Sequence, residues 1–123
     1  MKKIEMAISF LKMAGNGAAK EAFEKFVAPT FIHHNQYFKG DRQLLLTAIE
    51  EAHLASPNKS IEVKKAYEDG NTAIIHSEVI RQNPNDPSIA VVHIFRFENN
   101  LVVELWDLGQ EVAKNSPNEN GPF

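Results

Sequence analysis

The feature that most constrains this chain is a change in its hydrophobic periodicity near residue 59. Before that point, apolar residues recur at the spacing of one face of a helix. After it, apolar and polar residues alternate, which is typical of strands with one face covered. Helices followed by strands predict an α+β domain, in which the helices pack on one sheet.

The first half predicts three helices with identifiable ends. We expect them at about residues 4–14, 18–28 and 41–55. Pro29 ends the second helix, because a residue before proline is pushed out of the α region. Asp41 is suited to cap the third, since its side chain can accept a backbone N–H. A short extended segment, residues 31–35, lies between these two helices.

The second half predicts four consecutive strands joined by tight turns. We expect the strands at about residues 61–67, 72–82, 89–98 and 101–109. Asp69-Gly70 and Asn99-Asn100 are turn sequences, because Gly and Asn tolerate a positive φ.

A two-residue turn at residues 99–100 would also set the register of the last two strands. It pairs Phe97 with Val102 and His93 with Trp106. The residues that then share one face are His93, Phe95, Phe97, Glu104 and Trp106. Apolar walls with one imidazole and one carboxylate are more typical of a small-molecule pocket than of an ordinary core. In this arrangement Glu104 would hold the His93 ring in one tautomer.

Composition excludes several classes of function. The 123 residues, 43% hydrophobic and 24% charged, fit one domain over residues 1–123. The absence of cysteine excludes disulfides, thiolate zinc sites and cysteine nucleophiles, and it favours a cytoplasmic location. The net charge is −3 and basic residues are scattered, so we expect no nucleic-acid partner. No apolar run approaches the roughly 18 residues that span a bilayer, so we expect no membrane partner.

Three stretches resemble a known family: Ile32–Tyr37, Val91–Asp107 and Asn118–Phe123. They are similar to the SnoaL-like polyketide cyclase branch of the nuclear transport factor 2-like superfamily, with ketosteroid isomerase as a more distant relative. The resemblance implies a cone-shaped domain, with three N-terminal helices on a curved, mostly antiparallel sheet. It also implies a homodimer that needs no cofactor and closes rings in a small carbonyl compound by intramolecular aldol condensation.

The chain departs from the family at its acidic positions. His93 stands where the branch commonly has an aspartate, His34 where ketosteroid isomerase has its base, and Phe10 where that enzyme has a tyrosine. Histidine has an ordinary pKa near 6.5, so it can act as a base without a large shift. The resemblance therefore implies His34 as general base and His93 as second acid/base, with Glu104 orienting His93.

The remaining candidates are expected to bind the ligand. They are Phe10, Asn35, Tyr37, His76, Phe95, Trp106 and Asp107. Ordinary structural roles stay open for several of them. His93 and Trp106 can be core residues, and Asp107, expected on the opposite strand face, can be a hydrogen-bond acceptor that fixes the strand end.

Two further functions remain open from the sequence. One is a binding protein that holds a small apolar ligand without turning it over. The other is a metal site formed by His34, His76 and His93, which ranks last because their spacing is not that of metal ligands.

Several residues are expected at the surface of the domain. We expect His33 to be exposed, because it alternates with His34, and Arg96 to form a surface or dimer salt bridge. The strand at residues 88–98 is apolar on both faces, so its outer face predicts a homodimer interface. We expect the tail, residues 115–123, to be ordered, with Phe123 against the domain or its partner near the pocket mouth.

Overall fold

Three helices precede most of a five-stranded sheet in the computed structural model, which describes all 123 residues. The elements are α1 (Lys3–Gly15), α2 (Ala19–Phe26), β1 (Val27–His33), α3 (Arg42–Ala55), β2 (Ser60–Asp69), β3 (Thr72–Ile80), β4 (Ile89–Glu98) and β5 (Leu101–Glu111). The α+β class is confirmed, and Asp41 caps α3 by accepting the backbone N–H of Leu44. None of the helices is long and apolar enough to cross a membrane.

The sheet is mixed, because its first strand runs parallel to its last. The strand order is β1-β5-β4-β3-β2, and every pair except β1–β5 is antiparallel. The predicted extent of the second helix is wrong, since the chain becomes extended at Val27 and Pro29 lies inside β1. Strand β1 is at the sheet edge, where a proline without an N–H is tolerated.

The core lies between the helices and the face of the sheet that they cover, which we call the inner face. Phe10 of α1 meets Phe95 of β4 edge to face, with ring centroids 5.8 Å apart. It also contacts Phe23 of α2 at 5.4 Å. Phe23 and Phe95 are fully buried, so the aromatic residues fix α1 and α2 over the middle of the sheet.

A β-bulge changes the register of β4 and β5. Asn99 and Asn100 both have positive φ, and Phe97 pairs with Val102 as predicted. Val103 is then an extra residue, because Arg96 pairs with Glu104. One extra residue moves every following side chain to the other face.

The predicted pairing of His93 with Trp106 is therefore wrong. His93 pairs with Asp107, while Trp106 pairs with Ile94. His93 and Asp107 share the inner face with Phe95. Glu104 and Trp106 lie on the opposite, outer face of the sheet.

Candidate active site

A cavity of about 660 Å³ opens between α1, α3 and the inner face. Its walls are mostly apolar and include Phe10, Leu45, Ile49 and Ile61. The volume falls in the range of small-molecule sites, roughly 300–1,000 Å³. The size and the apolar walls suit a small organic ligand.

His93 and Asp107 are cross-strand neighbours that both line this cavity. Burial lowers the pKa of His93 to about 4, and the nearby charge of Asp107 opposes that shift only in part. Nδ1 of His93 is completely buried and has no hydrogen-bond partner. The imidazole is therefore neutral near pH 7, and it lies beside a carboxylate.

Asn35 holds Asp107 from the neighbouring strand edge. Its Nδ2 donates to Oδ2 of Asp107 at 3.2 Å. Its Oδ1 accepts the backbone N–H of Tyr37 at 3.0 Å, which fixes which end of the amide faces the carboxylate. Asn35 was predicted to bind ligand, and the structure brings it together with Asp107 and His93 in the cavity lining.

His33 is buried, so its predicted exposure is wrong. The parallel pairing of β1 with β5 places His33 beside Leu105, on the inner face. Its Nδ1 accepts the backbone N–H of Asn35 at 3.1 Å, so its Nε2 carries the proton that Lys39 O accepts at 2.8 Å. Both ring nitrogens are satisfied, and the ring fixes the backbone next to Asn35.

His34 borders the cavity, but its ring is engaged on the outer face. Nε2 of His34 lies 2.6 Å from Oε2 of Glu104, and the ring stacks on Trp106 with centroids 4.7 Å apart. The other oxygen of Glu104 accepts from Nε of Arg96 at 2.9 Å. These hydrogen bonds, first from His34 and then from Arg96, hold the pKa of Glu104 below its usual value.

This outer cluster changes the predicted roles of its residues. Glu104 orients His34, and it cannot orient His93, which lies on the inner face. The His34 and His93 rings therefore do not form one acid–base pair. Arg96 forms the surface salt bridge that was expected, with Glu98 as well as Glu104.

The other candidates divide between cavity, core and outer face. Phe10 and Tyr37 line the cavity, with Tyr37 exposed at its mouth. Phe95 lies in the core, whereas Trp106 and His76 do not line the cavity. No group of three His, Cys, Asp or Glu side chains is placed to hold a metal ion, so His34, His76 and His93 do not converge.

The C-terminal tail ends against the domain. The ring of Phe123 lies 5.6 Å from that of His76, and Nζ of Lys64 lies 5.2 Å from its centroid. The predicted contact of Phe123 with the domain is confirmed. Its placement near the pocket mouth is wrong, because no residue of 115–123 lines the cavity.

Sequence reasoning missed Lys59 and misplaced Asp107. Lys59 lines the cavity from the turn before β2, where no periodic pattern marks it. Asp107 was expected on the face away from His93. Two adjacent apolar residues, Val102 and Val103, interrupt the alternation of β5 and are the signal that could have revealed the bulge.

Comparisons with known proteins identify structures with the same fold. No curated sequence matches the chain significantly. Among solved structures, AclR, a candidate hydroxylase from Streptomyces galilaeus, is similar with a TM-score of 0.73 at 16% identity, over 86% of each chain. IdmH, a candidate polyketide cyclase from Streptomyces antibioticus, has a TM-score of 0.71 at 14% identity, over 89% of this chain and 93% of its own.

A candidate ketosteroid isomerase from Kribbella flavida is also similar, with a TM-score of 0.70 at 18% identity, over 94% of this chain and 82% of its own. At these identities the structures show a shared fold. The sequence profile of the SnoaL-like domain matches residues 9–105, most of the chain. The protein therefore belongs to the SnoaL-like domain family.

Proposed function

We propose that this protein is a cofactor-independent lyase or isomerase of the cyclase type, which acts on a small carbonyl compound with Asp107 as acid/base. The observation that carries the proposal is the pairing of Asp107 with neutral His93 in an apolar cavity. Family membership supports the reaction class. A carboxylate beside a neutral N–H donor is the pair that proton abstraction next to a carbonyl needs.

The reaction begins when Asp107 removes a proton from the carbon next to the substrate carbonyl. The C–H electron pair becomes the enolate, and an N–H of His93 donates a hydrogen bond to the enolate oxygen while keeping its proton. In a cyclisation, the enolate carbon bonds to a second carbonyl of the same molecule, whose oxygen takes the proton back from Asp107. In an isomerisation, the substrate has a C=C bond next to the deprotonated carbon, and Asp107 returns the proton to the far carbon of the resulting dienolate.

Asn35, His34 and Glu104 act as positioning residues in this proposal. Asn35 fixes the orientation of the Asp107 carboxylate. His34 comes directly before Asn35, and its bond to Glu104 holds this end of β1 against β5. His34 was predicted as the base from the resemblance, but its engagement on the outer face favours Asp107 for that role.

A non-catalytic binding protein is the second candidate, because the cavity walls are mostly apolar and suit an apolar ligand. Exchange of α-hydrogens with deuterated water separates the two, since it needs the base but no complete reaction. We expect the wild type to accelerate exchange in at least one of a panel of small ketones and β-diketones, measured by NMR. Asp107→Asn should lower that exchange rate by about 10²–10⁴-fold. Binding without exchange across the panel would favour the carrier.

We also propose that a second copy of the chain covers the outer face. Tyr67, Ile74, Ile94 and Trp106 are register neighbours and form an apolar row across four strands. Leu108 beside them is 63% exposed. Sedimentation at micromolar concentration should show a dimer, and Ile94→Lys should give a monomer. A wild-type monomer would contradict the proposal.

A further inference from the structure

The cavity has one basic side chain that the proposed chemistry does not use. Lys59 is the only lysine or arginine among the lining residues. It forms no salt bridge with any carboxylate, although the structure contains five such pairs elsewhere. Burial alone lowers its pKa, so no neighbouring acid compensates its charge. A partly buried ammonium group that lines a cavity and has no carboxylate partner is free to form a charge-assisted hydrogen bond with an anionic group of a ligand.

Lys59 lies at the opposite end of the cavity from the acid–base pair. It comes two residues before Ile61. Ile61 begins a row of paired residues that crosses the sheet, in the order Ile61, Val79, Ile89 and Glu111. Ile89 and His93 are four residues apart on β4, which corresponds to about 13 Å along an extended strand. Apolar residues, including Ile49 and Val91, line the space between the two ends.

We infer that Lys59 determines substrate specificity by binding a carboxylate at one end of the ligand while the reacting carbonyl lies at His93 and Asp107. The substrate class is then a keto acid with an apolar middle, long enough to bridge the two ends of the cavity. This inference rests on the proposed function for the position of the carbonyl. The binding preference for an acid depends only on Lys59.

Glu111 provides an internal control for the electrostatics. It lines the same end of the cavity and carries the opposite charge. The negative charge of Glu111 repels a bound carboxylate, so neutralising Glu111 should strengthen the binding of an acid. Lys59 and Glu111 variants should therefore change acid affinity in opposite directions.

The test compares ω-benzoylalkanoates of increasing chain length with their methyl esters, by calorimetric titration of the full chain at pH 7. We expect the wild type to bind at least one acid about tenfold more tightly than its ester, as suits a charge-assisted contact in a partly exposed site. Lys59→Met should remove the preference, Lys59→Arg should keep it, and Glu111→Gln should increase it. Thermal melts of each variant check that it is folded.

Two outcomes overturn the inference. One is equal affinity of acid and ester, or no binding of any acid, in the wild type. The other is an acid preference that survives in folded Lys59→Met. Failure of the proposed function is separate, because Asp107→Asn should lose α-hydrogen exchange yet keep the acid preference.

Discussion

The inner and outer faces of the sheet each have an imidazole next to a carboxylate, but the two pairs differ in whether their hydrogen bonds are satisfied. On the outer face, His34, Glu104 and Arg96 form a closed set of hydrogen bonds, and Trp106 covers the imidazole. On the inner face, burial keeps His93 neutral and leaves one nitrogen without a partner, beside Asp107. The groups of the outer cluster satisfy one another's hydrogen bonds, whereas the inner pair is available to a ligand.

The difference between the two faces depends on one residue, because the bulge at Val103 decides which side chains of β5 face the cavity. Deleting Val103 would place Glu104 directly after Val102, so simple alternation would keep Glu104 on the outer face and buried Leu105 on the inner face. We expect the deletion to keep His93 paired with Asp107 and to lower the unfolding free energy by about 2 kcal/mol, since only the buried Val103 side chain is lost. Urea denaturation measures this loss.

Val103→Ala is the matched control, because it keeps the extra residue and removes only two methyl groups. It should cost about 2 kcal/mol, as is usual for truncation of a buried aliphatic side chain. A deletion variant less stable than Val103→Ala by about 4 kcal/mol or more would show that the deletion had reversed the faces, and it would contradict the assignment of Val103 as the extra residue.

The pH dependence of stability should distinguish the two faces next. The folded pKa of His93 is lowered to about 4 from an ordinary 6.5. Between these values the unfolded chain binds more protons, so stability is fully present above pH 6.5 and is lost as pH falls towards 4. The upper limit of this contribution is about 3 kcal/mol.

His93→Gln should show a smaller loss of stability across that window, measured by urea denaturation at several pH values. All other titratable groups are the same in both proteins, so the difference between the two curves reports on residue 93. Identical curves would mean that His93 is not buried in its neutral form.

The outer cluster should give the smallest effects. His34→Phe keeps an aromatic ring over Trp106 but removes the hydrogen bond to Glu104. Because His34 is well exposed, we expect a loss of at most about 1 kcal/mol. The pKa of Glu104 should rise towards its usual value, because its largest cause of lowering is gone.

Carboxyl NMR titration of Glu104 measures that rise, and α-hydrogen exchange should fall only a few-fold through the loosened Asn35. His34→Gln retains a hydrogen-bond donor, so it should restore both the lowered pKa of Glu104 and the exchange rate. An exchange loss in His34→Phe as large as that of Asp107→Asn would make His34 the base after all.

The sequence predicted the order of helices and strands because periodicity is a local property. It also predicted the Asn99-Asn100 turn and the residues around the cavity mouth, such as Asn35 and Tyr37. The side of the sheet on which each side chain lies was harder to predict, because it depends on which strands pair. Residues 33 and 34 were assigned to opposite faces correctly, but only the parallel pairing of β1 with β5 decides which one is buried.

The extent of β1 was missed for a related reason. Val27 follows a helical pattern without interruption, and its strand conformation comes from its pairing with Val102. Lys59 was missed because a lysine in a polar turn has no local signal of burial. Its position in the cavity lining is a consequence of tertiary packing.

The most direct test of the central claim compares the two carboxylates of β5 in one experiment. Asp107→Asn and Glu104→Gln remove the same charge from opposite faces of the same strand. With any ketone that the wild type exchanges, Asp107→Asn should lower the α-hydrogen exchange rate by about 10²–10⁴-fold, the usual contribution of a general base. Glu104→Gln should stay within about tenfold of the wild type. Equal losses in both folded variants, or the larger loss in Glu104→Gln, would contradict the assignment of the chemistry to the inner face.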